Sequence, residues 1–237
     1  MINFLAIIPA RGGSKGLPNK NIADVAGTPL IQYTIEAAQK SKFLNRLLLS
    51  TDDKKIAEVR KNLGVEVPFM RPAKLAQDDT PAIDVVLHAL DWLKRNDSYQ
   101  PDAVVLLQPT SPLRTEKHID EAIQIFFDNN ADTVVSVVEV PHNFSPYKLM
   151  KLDNGRLVDF WGTPVDFNIY QRQKVPKLYA RNGPAILIAK TDVILKKKSF
   201  YGSKVLPFIM PKEESIDIDD KSDLHLASLL LTDRSKK

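Results

Sequence analysis

Residues 3–21 read NFLAIIPARGGSKGLPNKN, and this stretch decides the fold class. Residues 3–9 form a short apolar run that ends in proline, and a glycine-rich loop follows it. A run of this kind is typical of a strand that is buried on both faces. Three of the nine glycines in the chain, Gly12, Gly13 and Gly16, lie in this loop. The stretch therefore predicts an α/β protein whose first strand leads directly into a glycine-rich turn.

Segments with helical periodicity alternate with further apolar runs along residues 28–140. Thr28 and Pro29 match an N-cap followed by proline at the first helical position, which predicts a helix over 29–41. Strands are predicted over 46–50, 65–69, 103–107 and 133–140, with helices over 53–62, from 80 to about 95, and over 115–128. This order predicts a doubly wound, mostly parallel open α/β sheet that binds ligands at the carboxyl ends of its strands.

The alternation breaks after Pro141. Residues 141–176 are rich in turn-forming residues and predict a small antiparallel lobe of two or three short strands, a candidate contact with a second copy of the chain. Residues 1–140 and 177–237 are predicted to form the α/β domain, with strands over 185–189 and 205–210, a short helix from Thr191 and a closing helix over 220–231. Asp220 and Asp223 have the spacing of a capping box at the start of that last helix.

Composition excludes several classes of function. The chain has 237 residues, 43% hydrophobic and 26% charged, and no cysteine, which excludes disulfides, zinc–thiolate sites and cysteine nucleophiles. The 33 basic and 29 acidic side chains are mixed along the chain, so no basic stripe predicts nucleic-acid binding. The first apolar run is too short for a signal peptide, and no run approaches the ~18 residues of a membrane span. We expect a cytoplasmic protein without membrane or nucleic-acid partners.

The loop after the first strand has the composition of a phosphate-binding site. Glycine lets backbone N–H groups converge on an anion, and Arg11, Lys15 and Lys20 supply positive charge. The loop is neither a P-loop, because Leu follows Gly16, nor a dinucleotide fingerprint, because Ser14 stands where the second glycine is needed. A triphosphate-binding loop and a flexible basic surface loop both remain open on residue types alone.

An acidic pair near the end of the chain is a candidate metal site. Residues 215–219 read SIDID, so in an extended segment Asp217 and Asp219 face the same way while Ile216 and Ile218 face the core. Mg²⁺ binds oxygen ligands, typically one or two carboxylates with phosphates and waters. The alternative is that both aspartates form the outer face of an edge strand.

The loop resembles the signature of the acylneuraminate cytidylyltransferases, the CMP-sialic acid synthetase family, which also includes CMP-legionaminate and CMP-pseudaminate synthetases. Further matches follow in the family's order along almost the whole chain: Ser50-Thr-Asp-Asp53, Arg71-Pro72, Leu107-Gln-Pro-Thr-Ser-Pro-Leu-Arg114, Arg172-Gln173 with Pro176, Asn182-Gly183 and Ser215-Ile-Asp-Ile-Asp219. The resemblance implies that the anomeric hydroxyl of a nine-carbon 2-keto sugar acid attacks the α-phosphate of CTP, giving the CMP-sugar and pyrophosphate.

The resemblance also implies roles for single residues. Arg11 and Lys20 neutralise charge on the phosphates, and Asp217 and Asp219 bind Mg²⁺, with Asp219 as the essential ligand; Arg11, Lys20 and Asp219 are thus the expected catalytic residues. The expected nucleotide-binding residues are Ala10, Arg11, Gly12, Gly13, Lys15, Lys20, Asn21 and Arg71, with Arg71 on the cytidine side. The expected sugar-binding residues are Gln108, Lys148, Arg172, Arg181 and Asn182.

Supporting roles are expected for two more residues. Arg114 is expected to hold the loop that carries Gln108, through its own hydrogen bonds. Asp52 is a candidate for orienting the glycine-rich loop and equally for capping the next helix. The resemblance further implies a homodimer, with the lobe at the contact and over the sugar site.

Other functions remain open beside this one. Ala180, Pro184 and Leu187 depart from the residues that many family members have there, so the identity of the sugar stays open. The same fold acting on an eight-carbon keto-acid, or on another nucleotide, is one alternative. A non-catalytic nucleotide-binding module is another alternative. For Arg172 alone, a charge on a solvated loop is the alternative to a contact with the sugar.

Overall fold

The structure, a computed structural model, describes residues 2–14, 16–160 and 176–235. Its strands are β1 (Phe4–Pro9), β2 (Asp24–Val25), β3 (Thr28–Pro29), β4 (Leu44–Ser50), β5 (Ala103–Leu106), β6 (Thr133–Glu139), β7 (Met150–Asp153), β8 (Arg156–Asp159), β9 (Tyr179–Arg181), β10 (Leu187–Lys190) and β11 (Val205–Ile209). Its α-helices are α1 (Leu30–Lys40), α2 (Lys54–Leu63), α3 (Ala82–Asn96), α4 (Glu116–Asp128), α5 (Thr191–Lys197) and α6 (Lys221–Ser235).

The main sheet has the strand order β11-β6-β10-β5-β1-β4, with β9 also paired to β6. Strand β1 is parallel to β4 and β5, and β11 is parallel to β6. Strand β10 is antiparallel to both of its neighbours, and β9 is antiparallel to β6. The predicted mostly parallel α/β sheet is confirmed, and the reversed β9–β10 segment is its one exception among the described strands.

Helices cover both faces of this sheet. Ala6 and Ile8 of β1 pack in a cluster with apolar residues of α1, α2 and α4, whereas Leu5 and Ile7 pack with α3 and α5. All four of these β1 side chains are completely buried. A parallel strand between two helical layers must be apolar on both faces, which explains the uninterrupted apolar run in the sequence.

Three predicted elements differ in detail. Residues 65–69 form no continuous strand but two isolated parallel bridges, Leu48 to Glu66 and Thr51 to Met70, since Pro68 between them has no N–H to donate. The prediction of Thr28 as an N-cap is wrong. Thr28 pairs with Val25 across a two-residue turn, and Pro29 is itself the N-cap of α1. The closing helix extends beyond 231, to Ser235.

Helices α4 and α6 both begin with a capping box. Thr115 and His118 form a capping box at the start of α4. At the start of α6, Asp220 Oδ1 accepts from the N–H of Asp223 at 3.0 Å, and Asp223 Oδ2 accepts from the N–H of Asp220 at 3.2 Å. The capping box predicted from the spacing of these aspartates is therefore confirmed.

The lobe contains a hairpin of β7 and β8, with Leu152 opposite Leu157. Its turn residues, Asn154 and Gly155, have positive φ angles of 47° and 77°, as a tight two-residue hairpin turn requires. Two of the predicted lobe strands are thus present, and residues 161–175 lie outside the described residues. The division into an α/β domain and a lobe stays a prediction.

Asp132 joins the starts of β6 and β11 to the end of β10. Its carboxylate accepts hydrogen bonds from the N–H groups of Ser203 at 3.0 Å and Lys204 at 3.1 Å, and from Lys190 Nζ at 3.0 Å. The N–H of Lys204, with help from Lys190 and Ser203, lowers the pKa of Asp132 from 3.8 to about 2. Because the folded pKa is depressed, this carboxylate stabilises the fold above pH 3.8, and the contribution is lost as pH falls toward 2.

We predict that Asp132→Asn lowers the free energy of unfolding at pH 6, and that the difference from the native chain narrows as the pH falls below 4. Urea denaturation at a series of pH values measures this. The control is Asp192→Asn, which removes a carboxylate that is paired only locally in α5, with Lys196 at 2.7 Å. A difference for Asp132→Asn that stays constant with pH contradicts the prediction.

Candidate functional site

A cleft of about 550 Å³ opens at the carboxyl ends of β1, β4 and β5. This edge is where open α/β sheets bind ligands. The residues that line the cleft come from the glycine-rich loop, the segments after β4 and β5, and the end of the SIDID segment: Pro9, Arg11, Ser14, Gly16, Lys20, Asn21, Arg71, Leu75, Gln77, Asp78, Thr80, Ala82, Val85, Gln108, Pro109, Thr110 and Asp219.

The glycine-rich loop and the SIDID segment are in direct contact, although about 200 residues separate them along the chain. Lys20 Nζ donates to Asp219 Oδ1 at 3.1 Å and to the carbonyl of Ile218 at 2.7 Å. A Cβ at Gly16 would lie 2.7 Å from the carbonyl oxygen of Asp219. Only glycine permits this approach without a shift of the backbone, so Arg11, Lys20 and Asp219 face one cleft.

The aspartates of the SIDID segment lie on the side away from the core. Ile218 is completely buried in a cluster with Val25, Leu30 and Ala227, and Ile216 packs against the same cluster. The segment forms no strand, and it is joined to the carboxyl edge of the sheet by the hydrogen bond from Ile218 N to Thr110 O at 2.9 Å. The edge-strand alternative is therefore wrong as a description of this segment.

Asp217 and Asp219 differ in their surroundings. The Asp219 side chain is 81% exposed, whereas Asp217 is largely enclosed, and its Oδ1 has no hydrogen-bond partner among the described residues. Burial raises the pKa of Asp217, opposed by a hydrogen bond from the Thr110 side chain. No group of three or more His, Cys, Asp or Glu that would hold a metal occurs in residues 2–14, 16–160 and 176–235. A cation here would need further oxygens from phosphate or water.

The described loop cations each pair with a carboxylate. Arg11 NH1 lies 2.7 Å from Asp78 Oδ1 across the cleft, and Lys20 pairs with Asp219. Asn21 is almost fully buried, and its Nδ2 donates to the carbonyl of Arg11 at 2.9 Å, which fixes the loop backbone. Lys15 lies outside the described residues.

Hydrogen bonds to the end of β4 and to the segment after it fix the first part of the loop. The buried Ala10 donates its N–H to the carbonyl of Ser50 at 2.9 Å, and the N–H of Gly12 donates to Asp52 Oδ1 at 3.1 Å. Gly13 has open space where a Cβ would lie. The loop is thus anchored at Ala10 and Gly12, while Gly13 has free space beside it.

Arg71 lines the cleft from a buried position. It is 5% exposed, and its NH2 lies 3.6 Å from Asp52 Oδ1. Burial lowers the pKa of Arg71, and the Asp52 carboxylate opposes that effect. This buried guanidinium therefore depends on Asp52 for charge compensation.

A second recess of about 330 Å³ adjoins the cleft, with which it shares Ala82 and Gln108 as lining residues. Its walls are mostly apolar, but Arg181, Lys198 and Tyr201 also line it, and Arg181 NH1 donates to Tyr201 Oη at 3.1 Å. Gly183 borders the recess with a φ of +110°, and a Cβ there would lie 3.0 Å from Asp217 Oδ2. The acidic pair therefore contacts the walls of both cavities.

Arg114 holds the segment that places Gln108 between the two cavities. It is 2% exposed, and its NH1 donates to the carbonyls of Gln108 at 2.9 Å and Ala185 at 2.7 Å. Complete burial lowers the pKa of Arg114 to about 9. The supporting role predicted for Arg114 is confirmed.

The other expected sugar-binding residues lie in different places. Asn182 is buried: its Oδ1 accepts from Ser136 Oγ at 2.7 Å, and its Nδ2 donates to Ser215 Oγ at 3.1 Å. Lys148 lies in the lobe, 3.0 Å from His142 Nδ1, and is not among the lining residues of the cleft or the recess. Arg172 lies outside the described residues. Gln108 and Arg181 thus line the same recess, whereas the Asn182 side chain is buried.

Several polar cleft or recess residues were not singled out from the sequence, among them Asp78, Thr110 and Tyr201. Thr110 lies in the LQPTSPLR motif, whose match to the family already indicated this segment. Asp78 and Tyr201 stand in polar or mixed loop sequences, where composition gives no indication of which side chain reaches a ligand site.

With CTP, the nucleotide that the resemblance implies, as the ligand, we predict that Gly16→Ala weakens binding by about tenfold, because the added methyl group displaces the Asp219 backbone and with it Lys20; a tenfold loss corresponds to ~1.4 kcal/mol. Isothermal titration calorimetry measures the affinity. Gly13→Ala is the matched control, since no atom lies within 4 Å of the added carbon there. Equal losses in the two variants would assign the effect to backbone freedom of the loop rather than to the contact with Asp219.

Comparisons with known proteins agree with this geometry. A sequence profile described as cytidylyltransferase matches residues 5–226. The chain is 36% identical over 225 residues to an N-acylneuraminate cytidylyltransferase of Escherichia coli, covering 94% of this chain and 51% of that protein. It is 38% identical over 235 residues to a CMP-N,N'-diacetyllegionaminic acid synthase of Legionella pneumophila, covering 97% of both. The chain spans about half the length of the N-acylneuraminate cytidylyltransferases that it matches.

The fold is also found in a solved structure. A CMP:2-keto-3-deoxy-manno-octonic acid synthetase complexed with CTP superimposes with a TM-score of 0.70 at 16% identity, covering 98% of this chain and 99% of that one. At this identity the likeness concerns the fold alone. None of the helices in the described parts of the chain is both long and apolar enough to cross a membrane. Because the family profile covers nearly the whole chain and the Legionella protein matches from end to end, the chain belongs to the cytidylyltransferase family.

Proposed function

We propose that this chain transfers CMP from CTP to a nine-carbon 2-keto sugar acid of the sialic, legionaminic or pseudaminic type. The observation that carries the proposal is the contact of Lys20 with Asp219, because these two side chains line the same cleft as Arg11. The end-to-end similarity to a CMP-N,N'-diacetyllegionaminic acid synthase supports the sugar class.

The reaction is a displacement at the α-phosphate. The anomeric hydroxyl forms the new O–P bond, the bond from the α-phosphate to its bridging oxygen breaks, pyrophosphate leaves, and the hydroxyl proton passes to solvent. Catalysis of phosphoryl transfer depends mainly on positioning and charge neutralisation. Arg11 and Lys20 supply that charge in our proposal, and the amides of Gly12 and Gly13, with Ala10, Lys15 and Asn21, shape or line the phosphate site. Arg71 binds on the cytidine side.

Asp217 and Asp219 fit the role of Mg²⁺ ligands. The buried, unpartnered Oδ1 of Asp217 is an oxygen that protein groups leave unsatisfied, and such an oxygen is costly to bury unless a ligand uses it. When bound, Mg²⁺ would neutralise phosphate charge as pyrophosphate leaves. The protein's part is to hold both carboxylates on one side of the SIDID segment while Ile218 anchors it to the core.

The second recess is the proposed site of the sugar acid. Gln108 lies between the cleft and the recess, so a sugar bound there reaches the nucleotide past its side chain. The planar guanidinium of Arg181, held by Tyr201, suits the sugar carboxylate. Asn182 acts here as a support for the recess wall, and Arg172 and Lys148 stay predictions as further sugar contacts.

We further propose a homodimer that forms through the lobe, in the cytoplasm. Leu152 and Leu157, which face each other across the β7–β8 hairpin, are 76% and 61% exposed, and Phe144 nearby in sequence is 62% exposed. Exposed apolar side chains in one small lobe favour contact with another protein surface. The absence of cysteine is in keeping with a reducing compartment.

We predict that the purified chain releases pyrophosphate when given CTP, Mg²⁺ and a nine-carbon 2-keto sugar acid. Pyrophosphate release is measured with sialic, legionaminic, pseudaminic and eight-carbon octulosonic acids, and with each nucleoside triphosphate in turn. Turnover with only the eight-carbon acid, or only with another nucleotide, would contradict the proposed pair of CTP and a nine-carbon acid. Binding of CTP with no turnover of any sugar acid would favour a non-catalytic module.

The variant for this experiment is Asp219→Ala, which should abolish turnover while the fold remains, because the side chain is mostly exposed. Asp192→Ala is its control, since that aspartate is 74% exposed and also pairs with a lysine, but lies in α5 away from the cleft. Omission of Mg²⁺ should abolish turnover in the native chain. Full turnover by Asp219→Ala would remove this residue from the mechanism.

We predict that the double variant Leu152→Glu and Leu157→Glu is monomeric, because two charges would stand in the proposed apolar contact. Sedimentation velocity measures the change from dimer to monomer. Leu195→Glu is the control, since Leu195 is a 44% exposed leucine on α5. A native chain that sediments as a monomer, or a double variant that stays dimeric, contradicts the contact.

A further inference from the structure

Two adjacent carboxylates follow β4, and they have different partners. Asp53 Oδ1 accepts from the N–H groups of Lys55 at 2.6 Å and Ile56 at 3.2 Å, so Asp53 caps α2. Asp52 instead accepts from the N–H of Gly12 in the glycine-rich loop and lies beside the guanidinium of Arg71. The capping role that the sequence left open for Asp52 thus belongs to its neighbour.

A single oxygen of Asp52 makes both of these contacts. Its Oδ1 lies 3.1 Å from Gly12 N and 3.6 Å from Arg71 NH2. Arg71 is fixed beside it by its own backbone, whose N–H donates to the carbonyl of Thr51 at 2.7 Å. Asp52 therefore connects the start of the phosphate loop to a buried cation on another wall of the cleft.

Arg71 has unused hydrogen-bonding capacity in this position. Its Nε and NH2 are buried and have no hydrogen-bond partner among the described residues. A buried guanidinium is strongly unfavourable without a compensating charge, and loss of one partner of a buried pair leaves the other charge unpaired. A carboxylate at ion-pair distance keeps this cation in place and leaves its N–H groups for a ligand.

We propose that Asp52 is a positioning residue that couples the Gly12 amide to the Arg71 guanidinium, and so holds the triphosphate end and the cytidine end of the site in register. This inference rests on the proposed function, in which Arg71 serves the cytidine side and the glycine-rich loop serves the phosphates. Asp52 itself contacts neither ligand. Its effect is transmitted through the two groups that it holds.

The test compares CTP with inorganic tripolyphosphate as ligands of the full chain, by isothermal titration calorimetry. In Asp52→Asn the amide oxygen still accepts from Gly12, but the charge opposite Arg71 is lost. We expect CTP to bind about tenfold more weakly, the size of effect that one hydrogen bond to a charged group supplies, and tripolyphosphate to change by less than about twofold. In turnover, the KM for CTP should rise while kcat stays within about threefold, since ground-state positioning is what is lost.

The coupling between Asp52 and Arg71 is measured in a variant that lacks the guanidinium. In Arg71→Met, adding Asp52→Asn should cause no further loss of CTP affinity, because a double-mutant cycle isolates the interaction between the two side chains. Asp52→Glu, which keeps the charge, should recover part of the affinity lost in Asp52→Asn. Asp102→Asn is the matched control: Asp102 Oδ2 also accepts a backbone N–H, from Asn3 at 2.7 Å, but at the amino end of β1.

The outcomes separate this inference from the proposed function. Unchanged CTP affinity in Asp52→Asn, an equal loss for tripolyphosphate, or the full loss again in the Arg71→Met background would each overturn the positioning role while the native chain still turns over. Should Asp52→Asn fail to fold, Asp52→Glu decides: a folded Asp52→Glu with no more CTP affinity than Arg71→Met overturns the inference. A native chain that binds no CTP overturns both.

Discussion

The contact of Lys20 and Gly16 with the SIDID segment is the constraint on which the site depends. It closes a chain of about 200 residues, and it requires glycine on one side and an anchored backbone on the other. The anchor is Ile218, which is completely buried beneath Asp219. The core cluster around Ile218 therefore acts at a distance on the phosphate end of the cleft, because a shift of this isoleucine would move the oxygens that Lys20 contacts.

Two buried guanidinium groups stabilise the rest of the site in different ways. Arg114 donates to the carbonyls of Gln108 and Ala185 and to Thr34 Oγ1, so it links the segment after β5, the segment before β10 and α1. Arg71 lies beside Asp52 and keeps N–H groups unused. A guanidinium whose two terminal nitrogens both donate to protein oxygens, as in Arg114, joins parts of the structure, whereas one whose Nε and NH2 lack partners among the described residues, as in Arg71, is suited to a ligand.

Local signals in the sequence predicted most strands of the main sheet, most helices and the glycine-rich loop with its cations, since burial on two faces and glycine clustering leave a composition that can be recognised. The direction of each strand in the sheet, and which side chains line the cavities, were harder to predict. The reversed orientation of β10 is invisible in its apolar sequence, because a fully buried strand has the same composition in either direction. Asn182 and Arg181 are neighbours in sequence, yet one is turned inward and the other lines the recess. Only the tertiary structure distinguishes them.

The reversed β9–β10 segment has a consequence for how this fold changes during evolution. Because β10 runs against its neighbours, the residues that precede it, Asn182 to Ile186, arrive at the same edge of the sheet as the ends of β1 and β5. One wall of the recess is thus encoded apart from the N-terminal half of the chain, which supplies most of the cleft. Substitutions between β9 and β11 can therefore reshape the recess while the residues of the cleft stay the same.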